Sequence, residues 1–225
     1  MNKKDAVITL DGPAASGKGT VAKKIAAMIG FNYLDSGALY RTVALAAMRR
    51  GIAADDEAAI AAMMPTLEIR LSGEKVSLDG EDVSEAIRSA DVSMTTSCVA
   101  KLPMVRSGLL ELQRRALDEA GLVADGRDMG ATVFPNAALK IYLDAGLEVR
   151  ARRRYEQMLA KGVDVGMDLE AYTEQLRLRD EQDKERSESP LKPADDAFIL
   201  DNSSMSIEET VKKVLDLWNQ KKHLV

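Results

Sequence analysis

A chain of 225 residues with 46% hydrophobic content has enough apolar material for a sizeable core, and it reads as one domain with insertions. Its 31 basic and 36 acidic residues leave a formal charge of -5, which argues against a general nucleic-acid or membrane surface. The only cysteine, Cys98, rules out an intramolecular disulfide. No apolar run is long enough to span a bilayer, and the charged N-terminus, Met1 to Asp5, is too short for a secretion signal, so the expected location is cytoplasmic.

The first apolar run, Ala6 to Leu10, leads into Gly12-Pro13-Ala14-Ala15-Ser16-Gly17-Lys18-Gly19-Thr20 and then a helical pattern from Val21 to Ile29. Strand, glycine-rich loop and helix in this order let backbone N–H groups and a helix N-terminus surround phosphate oxygens. Gly12 and Gly17 allow close wrapping, Lys18 reaches the outer phosphates, and Thr20 is the nearest hydroxyl for a magnesium shell. Gly19 departs from the strict pattern, in which Ser or Thr follows the lysine directly. The bland reading is a glycine-rich turn with a surface lysine.

Five short apolar runs end in aspartate: Ile8 to Asp11, Asn32 to Asp35, Leu122 to Asp125, Ile141 to Asp144 and Phe198 to Asp201. Helical patterns between most of them predict a parallel sheet covered on both faces, with ligands outside the carboxyl ends of the strands. Asp144 and Asp201 read as turn or capping residues, whereas Asp11, Asp35 and Asp125 are candidates to support a site.

From Ala54 to Pro103 the pattern breaks. Leu67 to Leu71 and Lys75 to Leu78 alternate around Ser72, Gly73 and Glu74, as in an antiparallel hairpin, and Val83 to Leu102 is polar and only weakly helical. The segment is either an acceptor-binding insertion or a decorated crossover.

Arg127 follows a core strand directly. Arg150, Arg152, Arg153 and Arg154 crowd the early part of a helix, Gly162 to Gly166 break the pattern, and a second helix begins at Asp168. On it Tyr172, Leu176, Arg179, Asp183 and Arg186 share one face. That stripe either lines a pocket or forms an Arg–Asp ladder on a solvated helix. Arginine suits a triphosphate because its fork binds phosphate bidentately and keeps its charge. The last helix opens with Ser206 and Glu209 in capping-box spacing and buries Ile207, Val211, Val214, Leu215 and Trp218. The only histidine, His223, lies in the tail, so histidine catalysis and histidine metal sites are not expected.

Taken together these residues resemble the bacterial cytidylate kinases, within the nucleoside monophosphate kinases, from Val7 to about Lys222. The matching pieces are the Gly12–Thr20 loop, Asp-Ser-Gly-Ala-Leu-Tyr-Arg at 35 to 41, Asp-Gly-Glu-Asp-Val at 79 to 83, Asp-Gly-Arg-Asp-Met-Gly at 125 to 130, Val-Phe-Pro at 133 to 135, and Arg179-Asp180 with Pro190-Leu191. The resemblance implies a single α/β P-loop NTPase-type kinase domain over 1–225. A five-stranded parallel sheet flanked by helices forms the core, at 1–53 and 104–225. A small α+β NMP-binding insertion occupies about 54–103, and a helical lid about 150–188.

It also implies transfer of the γ-phosphoryl of ATP to CMP or dCMP with Mg2+. By position, Gly12, Pro13, Ala14, Ala15, Ser16, Gly17, Lys18, Gly19 and Thr20 would hold ATP, with Thr20 on the metal. Ser36, Arg41, Arg127 and Arg186 would surround the CMP phosphate, Ser97, Arg106 and Asp128 would read cytosine, and Arg179 and Asp183 would hold the ribose. Lys18, Arg127 and Arg186 would be the catalytic cations, joined by Arg153 and Arg154 from the lid. Gln182 stands where family members often carry a base, with Lys184 nearby. The partners implied are ATP and CMP or dCMP, without nucleic acid or membrane, for a monomer.

Rival readings are another P-loop kinase of the UMP, dTMP or shikimate type and a nucleotide-dependent switch. A hydroxyl acceptor would need a carboxylate base, for which Asp35 is placed. For a switch, Asn2-Lys3-Lys4-Asp5 matches the guanine-reading N-K-x-D pattern by letters but precedes the phosphate loop.

Overall fold

The computed structural model describes residues 6–73, 75–160, 162, 164–186 and 189–222. Strand β1 (Val7–Asp11) passes through the glycine-rich loop into α1 (Lys18–Ile29), then β2 (Asn32–Asp35), α2 (Ser36–Arg49) and α3 (Glu57–Met63). Three short strands follow, β3 (Ile69–Ser72), β4 (Lys75–Leu78) and β5 (Glu81–Asp82), and then α4 (Ala90–Val99) and α5 (Pro103–Arg114). The chain continues through β6 (Leu122–Gly126), β7 (Leu139–Asp144), α6 (Leu147–Ala160), α7 (Leu169–Lys184), β8 (Phe198–Asp201) and α8 (Ile207–Lys222).

The main sheet has the order β2-β6-β1-β7-β8, and every neighbouring pair is parallel. All five expected strands are present. Their alternation sorts side chains between two apolar clusters: Val7, Leu122 and Ala124 face α2, α4 and α5, while Ile8, Leu10 and Val123 face α1 and α8. On the second face Trp218 is fully buried and meets Phe31 edge-on, with ring centroids 5.7 Å apart. Edge strand β8 is the exception to full cover, with Phe198 41% and Ile199 68% exposed.

Local rules explain the helix ends. At α8 the Ser206 N–H donates to Glu209 Oε2 at 2.8 Å and the Glu209 N–H donates to Ser206 Oγ at 3.1 Å, the reciprocal capping box. Asp144 accepts from the Ala145 N–H and Asp201 from the Ser203 N–H, the turn-capping roles expected of both.

In the 54–103 segment, β3, β4 and β5 form a small antiparallel sheet. Ser72 pairs with Lys75, so Ser72 belongs to the strand and not to the turn; Glu74 lies outside the described residues. The weakly helical stretch after it is more ordered than its composition predicts. Ser89 caps α4, and Ser93, Thr96 and Ser97 donate their hydroxyls to carbonyls four residues earlier, so the polar side chains bond within the helix.

Register brings the strand-ending aspartates together. Asp35 is paired with Asp125 across β2 and β6, and Asp125 is level with Leu10 of β1. The chain leaves β1 for β2 on one side and reaches β7 on the other, which opens a crevice at the carboxyl end of β1.

Candidate active site

The glycine-rich loop fills that crevice. Gly12 has φ 149°, and a Cβ there would sit 2.1 Å from the Leu143 carbonyl oxygen, so no side chain fits. Ser16 Oγ is buried with no hydrogen-bond partner among the described residues, and the Ser16 carbonyl accepts from Asn202 Nδ2 at 3.0 Å. Lys18 begins α1, one turn earlier than the helical pattern suggested, and its Nζ donates to the Pro13 carbonyl at 3.0 Å. Burial pushes the Lys18 pKa down and the Arg127 charge adds to this, while Asp125 and Asp35 oppose it. Thr20 is exposed on the same turn.

The three supporting aspartates divide their roles. Asp125 accepts from the Tyr33 hydroxyl at 3.1 Å, and its carboxylate lies against Gly19. Burial pushes the Asp125 pKa up, opposed mainly by Lys18. Asp35 caps α2 through the Ala38 N–H at 3.0 Å on one oxygen and takes Arg41 Nη2 at 2.8 Å on the other. Asp11 accepts from the Met129 and Gly130 N–H groups, both at 2.8 Å, which anchors the π-turn Met129–Val133; burial raises it to about 7.

Opposite the loop, α7 presents the charged end of its stripe. Asp168, expected as the first helical residue, caps the helix instead, and Arg186 lies just past its last residue. Asp183 is buried and takes Arg127 Nε at 3.0 Å on one oxygen and pairs with Arg186 on the other. Burial pushes against its charge, yet Arg127 and then Arg186 hold its pKa below the usual value. Burial lowers Arg179, and the Arg127 charge lowers it further, with Arg41 also contributing. The charged end of the stripe is therefore withdrawn from solvent and ion-paired both along the helix, to Arg186, and across to Arg127. Ser36 is buried at the start of α2, against Gly126, where a Cβ would lie 2.6 Å from its Oγ.

Arg106 pairs with buried Asp128, donates to the Ala100 carbonyl at 3.0 Å and lies over the Tyr40 ring at 5.7 Å. Ser97 is half-buried on α4. Tyr40, whose hydroxyl burial raises to about 12, enters the sequence reading only within the 35–41 motif, and Tyr33 only within the run Asn32 to Asp35, with no role for either. Both look like core aromatics by spacing, so nothing marked them.

The α6 arginines are placed differently from a simple phosphate clamp. Arg153 Nη2 donates to the carbonyls of Asn202 at 2.9 Å, Ser203 at 3.2 Å and Met205 at 3.1 Å. Arg154 bonds Gln157 at 2.7 Å and lies beside Tyr172. Gln182 and Lys184 are exposed. Asn2 to Asp5 and His223 lie outside the described residues.

The family model described as cytidylate kinase matches residues 8–220. The chain is 50% identical over 212 residues to a cytidylate kinase of Bordetella pertussis, covering 94% of each. The chain belongs to the cytidylate kinase family. A cytidylate kinase of Neisseria gonorrhoeae is 49% identical over 222 residues, covering 98% of this chain and all of that one. A solved shikimate kinase from Acinetobacter baumannii in complex with shikimate is far more distant, at 16% identity and a TM-score of 0.44, covering 96% of this chain and 94% of its own. For a member of the cytidylate kinase family, the glycine-rich loop and the arginine cluster are the two parts to explain.

Proposed function

We propose that this chain transfers the γ-phosphoryl group of ATP to CMP or dCMP, giving ADP and CDP or dCDP. The observation that carries this reading is that the glycine-rich loop and the arginine cluster lie together at the carboxyl ends of the strands. Arg127 and Arg179 act directly on the charge of Lys18, and Arg127, Arg41 and Asp183 act on Arg179. A group of like charges this close is stable only when it is paired internally or faces an anion.

The acceptor is a phosphate oxygen, anionic near neutral pH, so the reaction needs no general base. Phosphoryl transfer then depends on in-line positioning and on cations that neutralise developing charge. Lys18 and the loop N–H groups would hold the donor phosphates, and Arg127 and Arg186, both fixed by Asp183, would hold the acceptor phosphate with Arg41 and Ser36. Asp35 has both oxygens engaged, which disfavours the hydroxyl-acceptor reading that would use it as a base.

Cytosine offers a donor at its exocyclic amine and acceptors at its ring nitrogen and carbonyl. Asp128, buried, and its partner Arg106, half-buried, would complement those groups, with Ser97 as a third contact; uracil would present an acceptor to Asp128. Arg179 and Asp183 would bind the ribose.

Among the described residues no group of three or more His, Cys, Asp or Glu could hold a metal ion by itself. That fits magnesium arriving with ATP, which keeps most of its waters and takes one or two protein oxygens. The Asp125 carboxylate, set against the first turn of α1, and the Thr20 hydroxyl on that turn would supply them. Bound there, magnesium neutralises phosphate charge. Arg153 would act by fixing the Asn202–Met205 wall, and Arg154 from a lid formed by 150–188, over an acceptor insertion at 54–103 and as a cytoplasmic monomer. The test is product analysis: ATP and CMP with magnesium should give CDP and ADP in equal amounts, and ADP without CDP would defeat the reading.

A further inference from the structure

Arg150 reads in the sequence as one of four arginines crowding the early part of a helix, and its side chain is only 7% exposed. Its Nε donates to the Ala145 carbonyl at 2.8 Å, just past β7, and its Nη1 donates to the Ala14 carbonyl of the glycine-rich loop at 2.9 Å. The same Nη1 lies 2.7 Å from Asp180 Oδ2 on α7. Beside these contacts Ala14, Ala151 and Leu176 form an apolar cluster, with Ala15, Leu147, Leu169 and Tyr172 packed against it. The loop, α6 and α7 are therefore joined twice, by a guanidinium and by a small core of their own.

A buried ion pair adds little net stability compared with apolar residues of the same volume, so its role lies in what it holds together. Asp180 and Asp183 are three residues apart and project from neighbouring parts of one helix face. Asp180 holds Arg150 and through it the donor loop, while Asp183 holds Arg127 and Arg186 of the acceptor cluster. The Asp180 charge also acts on Arg127, and its Oδ1 is buried with no partner among the described residues. Next to Ala14, Ala15 has φ 61°, a left-handed conformation unusual for a residue with a Cβ, so the loop backbone is held there by its surroundings.

We propose that Arg150 and Asp180 are positioning residues that couple the two substrate sites. A triphosphate that settles the loop peptides fixes the Ala14 carbonyl, hence the Arg150 fork, hence α7 and the acceptor arginines. Donor binding then strengthens acceptor binding, and by reciprocity the acceptor strengthens the donor. The inference rests on the kinase reading above. Neither residue touches the reacting atoms.

Calorimetric titration of CMP with and without a non-hydrolysable ATP analogue tests it, on the unaltered chain and on R150M, R150K, D180N and the apolar double variant R150M/D180L, each with a thermal unfolding curve. The unaltered chain should bind CMP about fivefold or more tightly with the analogue present, and in R150M and R150M/D180L the gain should shrink to about twofold or less. R150K keeps the charge but not the two-point fork and should recover only part of the coupling. If R150M does not fold, R150M/D180L carries the same comparison, because it removes both buried charges together. Folded variants with undiminished coupling, or an unaltered chain that turns over CMP without any coupling, would overturn the proposal. An unaltered chain that neither binds nor phosphorylates CMP overturns the kinase reading instead.

Discussion

A Cβ placed on Gly19 would stand 2.9 Å from Asp125 Oδ2 and 3.6 Å from the Tyr33 hydroxyl. Glycine follows the lysine because a carboxylate from the neighbouring strand β6 occupies the space a side chain would need. The departure from the strict phosphate-loop pattern is therefore a steric consequence of where Asp125 sits, and Thr20 is the first position in the helix free to carry a hydroxyl.

Gly19→Ser, which restores the strict pattern by letters, should lower activity. Overpacking of this kind costs about 1–3 kcal/mol, and here it displaces Asp125 from Lys18, so turnover should fall roughly tenfold or more with a lower melting temperature. Steady-state rates and a thermal melt on the variant check it; turnover equal to that of the unaltered chain would show that Asp125 moves aside freely.

Arg186→Ala and Asp183→Ala should differ in kind. With Arg186 removed, Asp183 still has Arg127, and repulsion within a crowd of cations is relieved, so stability should change by no more than about 1 kcal/mol while turnover falls steeply. Asp183→Ala leaves Arg127 and Arg186 buried without their shared counter-ion and should cost about 3–5 kcal/mol. Denaturant unfolding of both variants measures this, and equal losses would mean that the cluster is not organised around Asp183.

Asp11 predicts a pH dependence of stability. Its carboxyl is raised to about 7 by burial, against the usual 3.8, so between those values the folded chain keeps a proton that the unfolded chain has released. That contribution is fully present below the unfolded value and is lost as pH rises through about 7, at up to about 1.4 kcal/mol per pH unit. Asp11→Asn should flatten the decline. Urea midpoints at about pH 4.5 and about pH 7.5 for both chains test this; parallel declines would assign the effect to other groups.

Much of this was legible in the sequence because it rests on local rules. Strands ending in aspartate, the glycine-rich loop and the Ser206–Glu209 capping box each depend on near neighbours, and all are found where expected. What stayed hidden depends on distant contacts. Arg150 and Arg153 sit three residues apart in one arginine run, yet one holds Ala14 and Asp180 and the other holds three carbonyls between Asn202 and Met205. Their crowding at the start of one helix does not tell them apart. Asp180 was quoted only as part of a motif, since a carboxylate on a charged helix looks solvated until α6 is packed against it.

Base recognition is the central claim, and the rate of ADP release with CMP, dCMP, UMP, dTMP and AMP as acceptors tests it most directly. Asp128 is buried and held in place by half-buried Arg106, so a base that sets an acceptor against its carboxylate should be rejected strongly, by as much as roughly ten-thousandfold. CMP and dCMP should be turned over far faster than UMP, and Asp128→Asn should narrow that gap. Equal rates with CMP and UMP would contradict the account.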